Sequence, residues 1–236
     1  MTLDYLQLIH HGQSHKGLVR GKNQDAFLEN EDMGLFAVAD GMGGLPGGRR
    51  ASVQALDSLR RFLGDGEKGD LREAALYAHQ AVQRLGKLVS PKYGIGTTLS
   101  ALLWQPPLLQ LAHVGDSVIY RIRGDTIESL TEDHVEERVK IVGRDTSYAA
   151  HLSAYAGQSK PLEPQFTQIR PEPGDCFILA SDGVTKLIEE NHIRIIACAQ
   201  SDPKDIVAGL IEMAKLRGGE DNATALALCF GSHASV

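Results

Sequence analysis

Three short apolar runs, each suited to a buried strand, stop on an aspartate inside a turn. Leu35-Phe36-Ala37-Val38-Ala39 runs into Asp40-Gly41-Met42-Gly43-Gly44, residues 109–114 run into Gly115-Asp116-Ser117, and Cys176-Phe177-Ile178-Leu179-Ala180 runs into Ser181-Asp182-Gly183. A fourth acidic group, Glu220-Asp221-Asn222, stands directly before the apolar run 223–230. A carboxylate delivered by a buried strand is held firmly in place, and it is costly to bury without a cation or hydrogen-bond donors. The glycines beside these aspartates let backbone groups approach whatever the carboxylate holds. The recurrence therefore predicts strands whose ends share a polar site.

The remaining pattern supplies the walls of such a site. Apolar residues at helical spacing predict amphipathic helices over 49–63 and 70–88, the second with Asp70 as its N-cap. Further helices are predicted over 185–199 and 203–216, the latter with Ser201 or Asp202 near its cap and Pro203 in its first turn. A first strand over 4–11 is expected to end at the turn formers 12–17. Strands over 97–104 and 108–114 form a hairpin around Gln105-Pro106-Pro107, and strands over 118–122 and 126–130 follow. Their short connections predict antiparallel sheet. A short helix is expected within 131–142, then a long irregular loop to 164, then strands over 165–169, 175–180 and 223–230. With 236 residues, 42% of them hydrophobic, the chain can bury one full core, and it reads as one domain over 1–236.

Charge and cysteine usage narrow the partners. A net charge of −6 argues against a nucleic-acid surface, which needs clustered Lys and Arg. The three cysteines are far apart and set in apolar runs, which predicts buried free thiols in a reducing compartment. No basic leader with a long apolar core opens the chain, and no apolar run approaches a membrane span. A cytoplasmic protein without membrane contact is expected. His113 reads as structural, His79 as partly buried, and the other histidines as solvated.

Asp25, Asp40, Asp116, Asp182 and Asp221 all stand where predicted strands meet turns. Bare carboxylates gathered in one place repel unless cations lie between them. Oxygen ligands without Cys or His suit hard ions, magnesium or manganese. Two such ions ~3.5–4 Å apart activate water for in-line attack at phosphorus. Arg20 would hold the phosphoryl oxygens, since its planar fork donates two bonds at once. The alternative reading is plain: each Asp-Gly is also an ordinary turn signal, and Arg20 with Asp25 an ordinary surface pair.

The ordered set Arg20 with Asn23-Gln24-Asp25-Ala26, Val38-Ala39-Asp40-Gly41-Met42-Gly43-Gly44, Gly96-Thr97-Thr98, His113-Val114-Gly115-Asp116-Ser117, Leu130-Thr131-Glu132-Asp133-His134, Ser181-Asp182-Gly183 and Gly219-Glu220-Asp221-Asn222-Ala223-Thr224 resembles the metal-dependent serine/threonine protein phosphatases of type 2C, in their bacterial form. The resemblance spans nearly the whole chain. It implies an α+β fold, a four-layer α-β-β-α sandwich with two mostly antiparallel sheets and a pair of helices on each outer face. It also implies a Mg/Mn centre of two ions, with a third, weaker position. By that resemblance Asp40 bridges the two metals, the Gly41 carbonyl binds one, and Asp182 and Asp221 bind the other. Asp116 with Asp182 matches the third position, Asp25 orients water, and Arg20 binds the substrate phosphate. The implied activity is hydrolysis of phosphoserine and phosphothreonine by a metal-activated water, in a monomer that opposes a Ser/Thr kinase. Gln24 departs from the Glu of many relatives, and Met42 stands where animal relatives carry a His. The segment 136–157 is shorter than the usual bacterial flap, with Asp145 its candidate third-metal ligand. Two other classes fit the same residues, an inert phosphatase-like binding module and a hydrolase of small phosphate esters. Intact Asp40, Asp182 and Asp221 weigh against the first, and the lack of a P-loop pattern weighs against a nucleotide substrate.

Overall fold

The computed structural model describes residues 6–42, 47–64, 69–142 and 145–232, without the side chains of 137–150 and 232. Residues 4 and 5 of the expected first strand, and Gly43 and Gly44 of the Asp40 turn, lie outside them. Twelve strands and five helices follow in the order β1 (Leu6–His15), β2 (Ala26–Asn30), β3 (Leu35–Ala39), α1 (Gly48–Gly64), α2 (Leu71–Val89), β4 (Leu99–Gln105), β5 (Leu108–Val114), β6 (Val118–Arg123), β7 (Thr126–Ser129), β8 (Val135–Val142), β9 (Asp145–Leu152), β10 (Gln165–Ile169), β11 (Cys176–Ala180), α3 (Asp182–Thr185), α4 (Glu190–Ala199), α5 (Pro203–Leu216) and β12 (Ala223–Ser232).

They build two five-stranded antiparallel sheets, β1-β12-β11-β6-β7 and β10-β5-β4-β3-β2, and a separate β8-β9 hairpin. The period-2 alternation of each strand sorts residues by size into layers. In β3, Phe36 and Val38 face the other sheet, while Leu35, Ala37 and Ala39 pack under α1 and α2. In β12, Leu226, Leu228 and Phe230 fill the space between the sheets, and Ala223, Ala225 and Ala227 lie under α4 and α5. Large side chains thus join sheet to sheet, and alanines let the helices sit close. This is the four-layer α-β-β-α sandwich, of the α+β class, that the resemblance implies.

Helix starts follow their caps. Asp70 accepts from Glu73 N, and the Glu73 side chain answers the Asp70 N–H, completing a capping box on α2. Asp202 caps α5, with Pro203 next to it.

Several expectations need correction. The first strand does not stop at 11: β1 runs through Gly12 to His15, paired throughout with β12. Gly12 is used there for space, since a Cβ would meet the Phe27 ring at 2.6 Å. The four strands after residue 97 are not one sheet, because the Gly115-Asp116-Ser117 turn carries the chain from β5 in one sheet to β6 in the other. The expected helix in 131–142 and the first part of the loop after it are instead the β8-β9 hairpin, joined strand to strand from Val135↔Leu152 to Val142↔Asp145, while 153–164 is irregular as expected. The helix expected over 185–199 begins only at Glu190, as α4, with the single turn α3 before it at Asp182–Thr185.

The cysteine expectation also falls. Cys176 and Cys229 are register partners on β11 and β12 and are joined as a disulfide, while Cys198 is free and exposed. Fifty-three residues separate the pair in sequence, so only the strand pairing reveals them as neighbours. With Cys176 and Cys229 paired, cysteine usage no longer points to a reducing compartment.

Candidate metal centre

Strand direction brings the acidic turns to one edge. Ala26 pairs with Ala39, so Asp25 before β2 and Asp40 after β3 stand at the same end. β5 runs parallel to β3 across β4, which delivers Asp116 to that end too. In the other sheet Ala180 pairs with Ala225 and with Val118, so Asp182 after β11 and Asp221 before β12 meet beside the start of β6. The close approach of the last two turns depends on Gly183, where a Cβ would lie 1.9 Å from the Asn222 carbonyl oxygen.

Arg20, Asp40, Gly41, Asp116, Asp182 and Asp221 line one open cavity of about 510 Å³, together with Gln24, Met42, Thr98, Leu152, Lys186 and Asn222. The Asp40-Gly41 turn is pinned by the Thr97-Thr98 pair. Thr98 Oγ1 accepts from Asp40 N at 2.9 Å, Thr98 N donates back to Asp40 O at 2.9 Å, and Thr97 Oγ1 donates to the same carbonyl at 2.8 Å.

Asp25 does not line the cavity but is fully buried behind it. Its Oδ2 accepts from Ser181 Oγ at 2.9 Å and Thr224 Oγ1 at 2.7 Å, and Thr224 Oγ1 is backed in turn by Ser14 Oγ. Burial, opposed by those hydroxyls and aided by the charge of Asp182, pushes its carboxyl up to about 6. Asp40 is raised well above the usual carboxylate range, first by burial and then by the charges of Asp25 and Asp182. Asp116 is pushed up to about 6 by burial and by Asp182, with Lys186 pulling the other way.

Two cationic side chains answer part of this charge. Arg20 Nη2 donates to Asp221 Oδ2 at 2.6 Å, and Lys186 Nζ lies 2.5 Å from Asp182 Oδ2 and 3.9 Å from Asp116 Oδ2. Burial works against the Lys186 ammonium, but the bond to Asp182 and the charges of Asp182, Asp116 and Asp40 hold its pKa above the usual lysine value. Among the described residues, no three His, Cys, Asp or Glu groups are gathered closely enough around one point to hold an ion as they stand. The donor set nevertheless suits a hard divalent ion. Asp25 Oδ1 and Asp182 Oδ1 are buried oxygens with no hydrogen-bond partner, and every acidic group around them is an oxygen donor.

Sequence reasoning gave no role to three groups at this edge. Asn222 ties down the loop that carries Arg20, accepting from Gln24 N at 2.8 Å and donating to the carbonyls of Lys16 and Lys22 at 2.8 and 2.9 Å. Thr98 is the second, and Lys186 the third. Lys186 had a readable signal, since it follows Asp182 by four residues, one turn of a helix. His113 is buried, with Nε2 donating to Gly115 O at 3.1 Å, and burial together with the neighbouring His134 pushes it down to about 4. The side chain of Asp145 lies outside the described residues.

The sandwich with acidic turns gathered at one sheet edge defines a class of protein, and comparison with known proteins agrees with it. Residues 12–215 match the protein phosphatase 2C family, and the chain belongs to that family. It is 32% identical over 230 residues to the serine/threonine protein phosphatase PstP of Mycobacterium tuberculosis, covering 93% of this chain but 44% of that protein, so it spans less than half of that relative's length. It is 32% identical over 227 residues to the protein phosphatase PhpP of Streptococcus pneumoniae, covering 88% of this chain and 92% of that one. The solved catalytic domain of PstP, in complex with two manganese ions, is similar to it with a TM-score of 0.81 at 29% identity, over 97% of this chain and all of that one.

Proposed function

We propose that residues 1–236 form one Mg/Mn-dependent protein serine/threonine phosphatase domain. It removes phosphate from phosphoserine and phosphothreonine in proteins, acting as a cytoplasmic monomer that opposes a bacterial Ser/Thr kinase. The observation that carries this reading is the pair of orphaned carboxylate oxygens, Asp25 Oδ1 and Asp182 Oδ1, at the edge where the acidic turns meet. A buried anion without a donor calls for a cation.

Asp40, the Gly41 carbonyl, Asp182 and Asp221 would hold the two ions. Two bound divalent ions supply the Lewis acidity that activates water and polarises the phosphoryl group. For Asp221 to serve as a ligand its bond to Arg20 must yield, whereas Asp182 can offer its free Oδ1 to an ion and keep Lys186 on Oδ2. A guanidinium has five N–H donors, so Arg20 can turn its fork to the phosphoryl oxygens at the cavity mouth. Its side chain is 46% exposed, which leaves it open to a substrate phosphate. Asp25 is held by Ser181 and Thr224, and it orients water from behind the cavity.

The test is phosphate release from a phosphothreonine peptide with Mn²⁺, Mg²⁺ or EDTA. Wild type is expected to need the metal. Asp182→Asn is expected to lose activity by at least ~100-fold, the scale of a lost charge-stabilising group. Arg20→Ala is expected to raise KM more than it lowers kcat, as loss of a binding contact does. No phosphate released by wild type from any phosphopeptide with Mn²⁺ present would mean that the domain is not a protein phosphatase. Release from small esters alone would move the function to that substrate class.

A further inference from the structure

We propose that Lys186 is this chain's own cation at the Asp116–Asp182 pair, occupying the place of a third metal ion, so that the centre takes two ions rather than three. The proposal rests on the two-metal reading above.

Its ground is position. Lys186 Nζ stands 2.5 Å from Asp182 Oδ2 and 3.9 Å from Asp116 Oδ2. α3 returns the side chain to Asp182 one helical turn later, so the backbone sets the ammonium at this pair. Lys186 also lines both the metal cavity and the adjoining groove of about 820 Å³, the two spaces that Asp116 and Asp182 themselves share. The ammonium stands on the wall between them.

The chemistry follows from charge and reach. An ammonium offers three donors on a flexible stem and demands no coordination geometry. It neutralises one of two facing carboxylates and stays attached to the chain. A divalent ion at the same oxygens would have to expel it and then meet its positive charge a few ångströms away. Asp182 can still turn its other oxygen, the orphaned Oδ1, toward a metal on the far side. One carboxylate thereby serves a metal and a lysine at once.

The experiment counts Mn²⁺ ions bound per chain, by equilibrium dialysis and elemental analysis with calorimetry for the affinities. It compares wild type, Lys186→Arg, Lys186→Gln, and Lys186→Gln combined with Asp116→Asn. The Lys186 side chain is 67% exposed, so its replacement leaves the core intact. Two ions are expected for wild type and Lys186→Arg. A third, weaker ion is expected for Lys186→Gln and is lost again in the double variant. Three ions in wild type, or only two in Lys186→Gln, overturn the proposal and leave the two-metal reading standing. No bound ion in any of the proteins overturns both.

Discussion

At the scale of single residues, Asp25 shows how this site is built. A carboxylate with no exposed surface is fixed by two hydroxyls on one oxygen and left without a partner on the other. Without metal, the folded state raises its pKa to about 6 from an ordinary 3.8. The folded protein therefore binds this proton more tightly than the unfolded chain, and the associated stability is present below pH ~4 and lost as pH rises through about 6. The loss is about 3 kcal/mol for this group, at ~1.4 kcal/mol per pKa unit. In EDTA, Asp25→Asn is expected to gain stability relative to wild type as pH goes from 4 to 7, measured by urea unfolding at each pH. A difference that stays constant over that range would show that Asp25 is not held as a buried acid. Its turn position was legible in the sequence, because Asn23-Gln24-Asp25-Ala26 precedes an apolar stretch. Its seat behind the cavity was not. That depends on Ser181 and Thr224, more than 150 residues away in the chain.

At the scale of elements, the end of the sandwich opposite the acidic turns carries a separate anchor. Arg123 at the end of β6 donates from Nε and Nη2 to Asp175 at 2.6 and 2.7 Å, just before β11 begins, and Asp175 is 1% exposed. Removing the guanidinium leaves a buried carboxylate with only backbone donation from Glu172. Arg123→Ala is expected to cost about 3 kcal/mol in denaturant unfolding while leaving Mn²⁺ stoichiometry unchanged. A loss below ~1 kcal/mol would show that water takes over the pairing.

Elements with strong periodicity were readable. The helices over 49–63 and 70–88 fall on α1 and α2, and the apolar runs fall on β3, β5 and β11, because burial on both faces of a layer leaves an unbroken hydrophobic signal. The β8-β9 hairpin was not readable. It pairs with neither of the two large sheets, and its sequence is polar and weakly patterned. The disulfide escaped for a related reason, since the register of β11 against β12 is a tertiary fact that spacing does not carry.

At the scale of the whole molecule, two sheets pressed together by large side chains hold their strand ends in fixed relation, and the acidic turns share one edge. That edge is poised between two states. In one, Arg20 and Lys186 neutralise Asp221 and Asp182. In the other, the metal-bound state proposed above, an ion replaces Arg20 on Asp221, Lys186 stays on Asp182 Oδ2, and the orphaned Asp182 Oδ1 gains a partner. Convergence of the aspartates was foreseeable from the repeated apolar-run-to-Asp pattern, whereas the competing cations follow from where α3 and the Asn222-clamped loop bring their side chains. The most direct measurement is a crystal structure of the protein grown with Mn²⁺, with the ions located by anomalous scattering. The account predicts two peaks ~3.5–4 Å apart, both touching Asp40, with Asp182 and Asp221 turned onto one of them and Arg20 released from Asp221. A single ion, or an Asp221 still bonded to Arg20 with no metal beside it, would contradict it.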